Sequence, residues 1–222
     1  KYIKTNKTYK KINLKNIKLI DSPLLLICQL PRSGGSLLAQ LLDSHKQLNN
    51  FPDEFKIGYP IKYIWPDINF KKKPQYWFNQ LFNLELPKID SNNYWKGHQH
   101  KHKKGIPFNY LPDLHYNLFM NLNLNNKPKV KRDIFNNYLT SFFYAWKNYK
   151  NLNGKKKYVV AFQPLIFEVS NYIDNYFQIY KDGFHLAIIR NPYEWYNSSK
   201  SHLSIKRSFK NYEKAFYYWI NH

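Results

Sequence analysis

The residues with the clearest chemical potential lie in one short segment, Pro31-Arg32-Ser33-Gly34-Gly35-Ser36. Adjacent glycines let a backbone wrap closely around an anion, the hydroxyls of Ser33 and Ser36 add hydrogen-bond donors, and Arg32 supplies a counter-charge. The chain of 222 residues has only seven glycines, and only four of its 35 basic residues are arginines. We therefore interpret this segment as a candidate phosphate-binding loop.

Two familiar nucleotide-binding patterns are missing from this loop. No lysine precedes Ser36, and the loop is shorter than the Walker A pattern, which disfavours an ordinary ATPase or GTPase. The G-x-G-x-x-G pattern of dinucleotide-binding folds is absent as well. The loop thus predicts an anion site of another kind.

A second group of candidate residues follows the apolar segment 184–189, which we predict to be a strand. Arg190-Asn191-Pro192 ends that strand, and the helix predicted after it carries Ser198. Ligands of open α/β sheets bind at the carboxyl ends of the strands, so we expect Arg190 and Arg32 on the same edge. Because Ser198 lies about two helical turns beyond Arg190, the two side chains could share one anion.

The elements that must position these groups alternate between strand and helix. The continuous apolar run 23–30 suits a buried parallel strand, and the leucine spacing after Gly35 predicts a helix over 35–45. Further strands are predicted at 158–162 and 184–189, and further helices at 75–84, 111–122, 133–149, 164–180 and 193–201. This alternation predicts an α/β domain with a mainly parallel sheet.

The loop and the arginine motif together resemble those of the PAPS-dependent sulfotransferases, in the bacterial and tyrosylprotein-type branch. The family's loop has the form P-[RK]-S-G-[TS]-[TS], and its later motif is R-[DN]-P with a serine eight residues after the arginine. Leu41-Leu42-Asp43-Ser44-His45 is similar to the family's L-L-D-x-H, and Phe51-Pro52-Asp53-Glu54 stands where such members carry a glutamate. The resemblance implies a three-layer P-loop-like fold with a central, mainly parallel sheet flanked by helices.

The resemblance also implies a role for each site residue. The family's donor is PAPS, 3′-phosphoadenosine 5′-phosphosulfate, whose sulfuryl group is transferred to an acceptor hydroxyl or amine. Arg190 and Ser198 would bind its 3′-phosphate, and Arg32 would also stabilise the leaving phosphate. The 5′-phosphosulfate would be held by Arg32, Ser33, Gly34, Gly35 and Ser36. The scheme requires no metal.

The acceptor proton needs a base, and three residues are candidates. The resemblance favours Glu54, one of only 14 acidic residues, although Asp53 stays open because the loop length decides the register. The other alternative is His98, in Lys96-Gly97-His98. His98, His100 and His102 would share one face of a strand and could bind zinc, but alternating histidines among lysines are more typical of an exposed segment. We therefore expect no metal.

Three features depart from the family pattern. Gly35 replaces the usual threonine or serine and removes one hydroxyl contact. Phe162-Gln163-Pro164 stands where many members have a Lys-Thr-Pro-like element, so a cationic contact is lost. The chain ends before the family's C-terminal strand and its basic donor-binding loop. We therefore expect a fragment with an N-terminal arm over 1–20 and a sulfotransferase-like domain over 21–222 that is truncated at its C-terminus.

The formal net charge of +21 raises a different function, a basic nucleic-acid-binding domain with a degenerate phosphate loop. Lys, Asn, Tyr, Phe and Ile are all abundant, and their codons are A/T-rich, which favours lysine without any nucleic-acid partner. We therefore expect no specific nucleic acid, and we expect the basic field to attract an anionic nucleotide donor. An atypical kinase or other phosphotransferase is a third candidate.

Length and composition bound the remaining properties. A hydrophobic content of 43% suffices for a core, and no run of about 18 apolar residues predicts a membrane span. The single cysteine, Cys28, excludes a disulfide framework. We expect a cytoplasmic location, with any N-terminal targeting segment lying outside these residues. The acceptor is expected to be a glycan, a protein or a small molecule, and the Glu54 position favours the carbohydrate or protein type.

Overall fold

A parallel sheet lies at the centre of the chain. The computed structural model describes residues 10–43, 45–57, 65–83, 86, 107–149, 155–164, 171–200 and 211–221. Its strands are β1 (Leu24–Cys28), β2 (Leu48–Glu54), β3 (Tyr158–Phe162) and β4 (Phe184–Ala187). They form a sheet in the order β2-β3-β1-β4, in which every neighbouring pair is parallel. The carboxyl ends of all four strands therefore meet at one edge, which we call the carboxyl edge.

Helices cover the sheet on both faces. The described residues form seven of them, which are α1 (Gly35–Leu42), α2 (Pro74–Leu81), α3 (Pro112–Asn125), α4 (Lys131–Ala145), α5 (Tyr172–Ile179), α6 (Pro192–Ser199) and α7 (Tyr212–Asn221). Helix α1 packs Ala39 against Ile27 and Phe162 on one face. Helices α2 to α5 pack on the other face, where the main aromatic core lies. The predicted three-layer α/β fold with a parallel sheet is confirmed.

The two central strands are apolar because both of their faces are covered. In β1, Leu24 and Leu26 belong to the main core, whereas Ile27 packs towards α1. Strands that are buried on both faces have near-continuous apolar sequences rather than alternating ones. Among the described residues, strand β4 pairs only with β1 and lies at the edge of the sheet, where Phe184 is half exposed.

Several element boundaries differ from the predicted ones for local reasons. The strand predicted to reach residue 30 ends at Cys28, since the Ser33 N–H donates to the Leu30 carbonyl at 3.2 Å and closes a turn. The helix predicted over 35–45 ends at Leu42, and the strand predicted over 184–189 ends at Ala187. The predicted helix 164–180 starts only at Tyr172, after Asn171 with a φ of 63°, and residues 165–170 lie outside the described residues.

The N-terminal arm contacts the helical face through its backbone. Its residues 10–20 lack regular secondary structure, and their N–H groups donate to side chains of α3 and α4. The Lys10 N–H donates to Asn117 Oδ1 at 2.8 Å, and the Ile20 N–H donates to Thr140 Oγ1 at 2.9 Å. Because Ile20 itself is buried in the main core, this part of the arm is packed onto the domain.

Candidate functional site

The predicted phosphate loop leaves the middle of the carboxyl edge and has unusual backbone geometry. Arg32 has a φ of 72° and Gly34 has a φ of 106°, both in the left-handed region, while Ser33 between them has no positive φ. Such alternation turns successive N–H groups towards one side and forms an anion-binding concavity. A left-handed conformation costs a non-glycine residue about 1 kcal/mol or more, so the surrounding structure must hold Arg32 in place.

The loop leads directly into α1, and no side chain caps the N-terminus of this helix. Its N-cap residue is Gly34, which makes no side-chain cap, and the first turn contains no acidic residue. The N–H groups of Gly35, Ser36 and Leu37 have no acceptor within the helix, because they belong to its first turn. The positive end of the helix dipole therefore points, uncompensated within α1, at the carboxyl edge.

Gly35 has no space for a side chain, which explains why a glycine occupies this position. A Cβ atom at this position would lie 2.5 Å from Gln29 Oε1 and 2.5 Å from Phe162 Cε2. The Gln29 side chain thus packs directly beneath the first turn of α1. Gln29 is 4% exposed, and its Oε1 has no hydrogen-bond partner among the described residues. Because an amide oxygen accepts hydrogen bonds and does not bind an anion, Gln29 acts here by packing against the loop.

Arg190 joins the loop from the neighbouring strand, as the sequence predicted. It follows β4, and its Nη1 donates to the Arg32 carbonyl at 3.1 Å. Its Nε lies 3.8 Å from Glu194 Oε2, a solvent-exposed pair that contributes little. Two guanidinium-bearing residues and one helix N-terminus therefore meet at the carboxyl ends of β1 and β4, where they favour an anion.

Two tryptophans fix this junction. Trp195 in α6 is fully buried, and its Nε1 donates to the Pro31 carbonyl at 2.7 Å. Trp219 in α7 donates from Nε1 to the Arg190 carbonyl at 3.1 Å. Trp195 packs with Leu30 and Ala215 in a small core beside the loop. Helices α6 and α7 thus hold the loop and the Arg190 segment together.

The predicted serine of α6 is half-buried in the last turn of that helix. Asn191 caps α6 by accepting from the Tyr193 N–H at 3.0 Å and from the Glu194 N–H at 3.4 Å. Ser198 lies two turns further along. Its neighbour Ser199 is fully buried, and the Ser199 hydroxyl has no hydrogen-bond partner in the described part of the chain.

Glu54 ends β2 on the same edge, on the far side of β3 from the loop. It pairs with Phe162 of β3, and its side chain forms an ion pair with Lys56. Its carbonyl accepts from Asn83 Nδ2 at 2.9 Å. Neighbouring strands are about 4.8 Å apart, so β2 and β1 are roughly 10 Å apart. Glu54 and the loop therefore lie at the same edge of the sheet, separated by the end of β3.

The other two base candidates are less well placed or lie outside the description. Asp53 is exposed and adopts a φ of 56° within the irregularity of β2 between Asn50 and Glu54. A bulge of this kind changes the side of the strand to which a side chain points. His98 lies outside the described residues, as do His100 and His102.

Sequence reasoning missed three polar residues of this edge. Lys56 is the ion-pair partner of Glu54, and the only available signal was its spacing of two residues along an extended segment. Gln29 and Gln163 each follow a central strand and are buried, at 4% and 0% exposure. In the sequence, Gln163 stood out only because it differs from the pattern that the chain resembles. A sequence does not show that a side-chain amide is left unpaired.

A cavity of about 750 Å³ lies elsewhere and does not belong to this site. It is lined by Trp65, Lys131, Arg132 and residues of α5. Arg132 donates to Asp182 at 2.7 Å and to the Asp21 carbonyl at 3.3 Å, and these two residues precede β4 and β1. The cavity is therefore at the opposite edge of the sheet.

Cys28 is buried in β1 beside His185 of β4, with which its sulfur forms a hydrogen bond. Burial raises the pKa of the Cys28 thiol to about 12 and lowers the pKa of His185. A thiol that stays protonated at neutral pH is a poor nucleophile. The two side chains therefore contribute to packing within the sheet.

Comparisons of the chain with protein-family models, with curated proteins and with solved structures find no match. The functional conclusion therefore depends on the site itself. Within the described ranges, no helix is long and apolar enough to cross a membrane. In that same part of the chain, no three His, Cys, Asp or Glu side chains are grouped so that they could hold a metal ion.

Proposed function

We propose that this chain is a sulfotransferase domain that transfers a sulfuryl group from PAPS to an acceptor hydroxyl or amine. The observation that carries the proposal is the hydrogen bond from Arg190 Nη1 to the Arg32 carbonyl, at 3.1 Å. It joins two motifs that are 158 residues apart, at the uncapped N-terminus of α1. A donor with a phosphosulfate and a separate 3′-phosphate needs two such anion-binding groups side by side.

Each end of the donor has its own binding group in this proposal. The 5′-phosphosulfate is bound by the N–H groups of the first turn of α1, by Ser33 and Ser36, and by Arg32. The 3′-phosphate is bound by Arg190 and Ser198. The Arg190 guanidinium is available to bind this phosphate, because its ion pair with the exposed Glu194 is long and weak.

The transfer step needs alignment, charge stabilisation and a base. The acceptor oxygen attacks sulfur, the bond between sulfur and the bridging oxygen breaks, and the nucleotide phosphate leaves with the electron pair. Arg32 and the α1 N–H groups stabilise the charge that develops on that phosphate. Glu54 takes the acceptor proton from the opposite side, across the end of β3. A cytoplasmic location and a carbohydrate acceptor are part of the same proposal.

Thermal unfolding with three ligands tests this class of function. The product nucleotide 3′-phosphoadenosine 5′-phosphate, PAP, should raise the melting temperature, because a ligand that binds only the folded state stabilises it by about 2.7 kcal/mol at 100 times its Kd. ATP with Mg²⁺ and a random DNA duplex should have smaller effects at matched charge. A shift with Mg²⁺-ATP alone would indicate a phosphotransferase. A shift with DNA alone, lost steeply with salt, would indicate a nucleic-acid-binding domain.

A further inference from the structure

The cavity at the opposite edge of the sheet has the size of a small-molecule site. Its volume of about 750 Å³ lies within the range of ~300–1,000 Å³ that is usual for ligand pockets. Three separate parts of the chain line it: the segment from Trp65 to Asp67, the start of α4 from Val130 to Arg132, and the side of α5 that carries Asn175 and Gln178. The shape of the cavity is therefore set by tertiary packing.

The Arg132 guanidinium is a fixed part of this lining. Its Nη1 and Nη2 donate to the two carboxylate oxygens of Asp182, at 2.7 Å and 3.1 Å, and Nη2 also donates to the Asp21 carbonyl at 3.3 Å. The guanidinium carbon lies 5.1 Å from the ring centroid of Tyr180. A bidentate pair of this kind fixes both the position and the direction of an arginine. Arg132 therefore uses its donors on the protein and holds the wall of the cavity in place.

The charges around the cavity are nearly balanced, unlike those of the whole chain. Lys131 Nζ lies 2.6 Å from Asp67 Oδ1, and Arg132 is paired with Asp182. Among the described residues, Lys181 is the lining cation that has no acidic partner within 4 Å. Because paired charges produce a weak field, the cavity does not favour an anion, although the net charge of the chain is +21.

The side of α5 that lines the cavity presents two unpaired amides. Asn175 and Gln178 are three residues apart, so they are neighbours on the helix surface, and neither side chain has a hydrogen-bond partner among the described residues. Gln178 is exposed and Asn175 is half-buried, so a ligand in the cavity can reach both. Each amide offers donors and an acceptor, as a sugar hydroxyl does. The side chains of Val130 and Ile179 add apolar surface for the C–H face of a sugar ring.

We propose that this cavity binds a neutral saccharide, with the amides of Asn175 and Gln178 as its hydrogen-bonding groups. The inference goes beyond the proposed sulfotransferase function and does not rest on it. Strand β1 has five residues and is about 17 Å long, and it separates the cavity from the phosphate loop. A saccharide in the cavity therefore does not touch the sulfuryl donor, and the cavity anchors a glycan without taking part in the transfer.

Titration with four neutral trisaccharides tests this inference. The probes are built from glucose, mannose, galactose or N-acetylglucosamine units, and binding is detected by saturation-transfer NMR and measured by calorimetry. We expect at least one trisaccharide to bind the wild type with a Kd of about 1 mM or lower. In the double variant Asn175→Ala/Gln178→Ala this Kd should rise about tenfold or more, because two neutral hydrogen bonds are lost.

Gln40→Ala is the matched control. Gln40 is a half-buried amide in α1, on the other face of the sheet, so its loss should leave the Kd of the trisaccharide unchanged. If none of the four probes binds the wild type, or if the double variant binds as tightly as the wild type, the inference is wrong. If inorganic sulfate stabilises the wild type more than the double variant, the cavity is an anion site and the inference is wrong as well.

The Kd of PAP separates this inference from the proposed function. It should be the same in the wild type and in the double variant, because the two sites lie at opposite edges of the sheet. Loss of trisaccharide binding with unchanged PAP binding in the double variant supports the inference. A wild type that binds a trisaccharide but not PAP would contradict the proposed function alone.

Discussion

At the residue scale, the site depends on groups that the protein leaves unpaired or strained. Arg32 has a left-handed backbone, α1 begins without a cap, and the unpaired Oε1 of Gln29 packs beneath the loop. Each of these features costs folding free energy, of order 1 kcal/mol or more. Such costs persist where the surrounding structure holds the group for another purpose, and anion binding gives that purpose to the strained loop and the uncapped helix.

Gly35→Ala tests the packing beneath the loop. The new Cβ would lie 2.5 Å from Gln29 and from Phe162, so the variant should lose about 1–3 kcal/mol of unfolding free energy, measured in urea. Gln29→Ala removes one of the two clashing side chains. The double variant should therefore recover part of the loss.

Gly34→Ala is the matched control for that experiment. A Cβ at this position would have no atom within 4 Å, but the φ of 106° penalises any side chain. Its loss should come from backbone strain alone and should not be recovered by Gln29→Ala. Equal recovery at both glycines would contradict the proposed packing role of Gln29.

Glu54→Gln tests the base. The amide cannot take the acceptor proton, so turnover of PAPS should fall by about 10²–10⁴-fold, whereas the Kd of PAP should stay within about twofold. Turnover is followed as PAP release in the presence of glycan acceptors. Asp53→Asn is the matched control and should keep most of the activity. If Glu54→Gln weakens PAP binding as much as it slows turnover, Glu54 is not the base.

At the element scale, α6 positions Arg190 by starting immediately after it. Asn191 forms the cap of α6 with two backbone hydrogen bonds. Asn191→Ala should therefore cost about 1 kcal/mol of unfolding free energy and should weaken PAP binding, because Arg190 loses its fixed position. Calorimetric titration and urea unfolding measure the two effects.

Asp133→Ala at the start of α4 is the control for this cap. Asp133 Oδ2 accepts from the Lys129 N–H at 2.6 Å and from the Val130 N–H at 3.0 Å, at the opposite edge of the sheet. It should lower stability by a similar amount and leave the Kd of PAP unchanged. If Asn191→Ala lowers the unfolding free energy but leaves the Kd of PAP unchanged, the cap of α6 does not position Arg190.

The elements with a strong local signal could be predicted from the sequence. The apolar strands β1 and β3 lie where expected, because burial on both faces fixes their composition. The arginine predicted to follow β4 also lies where expected. Strand β2 has no comparable local signal. Its sequence LNNFPDE contains buried Asn49 and Asn50, which do not look like strand-core residues.

The contacts of the site could be predicted only where they depend on topology. Parallel strands share their carboxyl edge, so Arg32 and Arg190 were correctly expected together. The packing of Gln29 on Gly35 and the ion pair of Glu54 with Lys56 depend on side-chain directions. A single sequence carries no signal for the first contact and only a two-residue spacing for the second, since both arise from tertiary packing.

At the scale of the whole molecule, a buried histidine links stability to pH. His115 is fully buried in the main core beside Phe78 and Tyr138, and it accepts or donates at Nδ1 with the Tyr110 hydroxyl at 2.7 Å. Burial lowers its pKa from the ordinary value of 6.5 to about 3. The unfolded chain therefore binds a proton that the folded chain does not bind between these two values.

The sign of this linkage is a loss of stability in acid. The contribution of His115 is fully present above pH 6.5 and is lost as the pH falls towards 3. The unfolding free energy should fall by up to about 1.4 kcal/mol per pH unit over this range. In His115→Phe the slope should be lower by that amount, as measured by urea unfolding between pH 5 and 6.5. Identical slopes would show that His115 is not buried in a neutral state.

The net charge is also a property of the whole chain. Its effect on binding distinguishes the two main candidate functions, a sulfotransferase and a nucleic-acid-binding domain. A net charge of +21 attracts any polyanion, so weak binding of an anion does not by itself distinguish these functions. Binding to nucleic acid should weaken steeply with salt and should be spread over many lysines. A nucleotide in a built site should depend far more on one arginine than on any exposed lysine.

The most direct test is therefore a calorimetric titration of PAP at 150 mM salt into wild type, Arg190→Ala and Lys129→Ala. Lys129 is exposed near the start of α4, at the opposite edge of the sheet, and its loss changes the net charge equally. The account predicts one site per chain, a Kd that rises at least tenfold in Arg190→Ala, and little change in Lys129→Ala. Equal affinities in all three proteins, or no binding of PAP to the wild type, would contradict it.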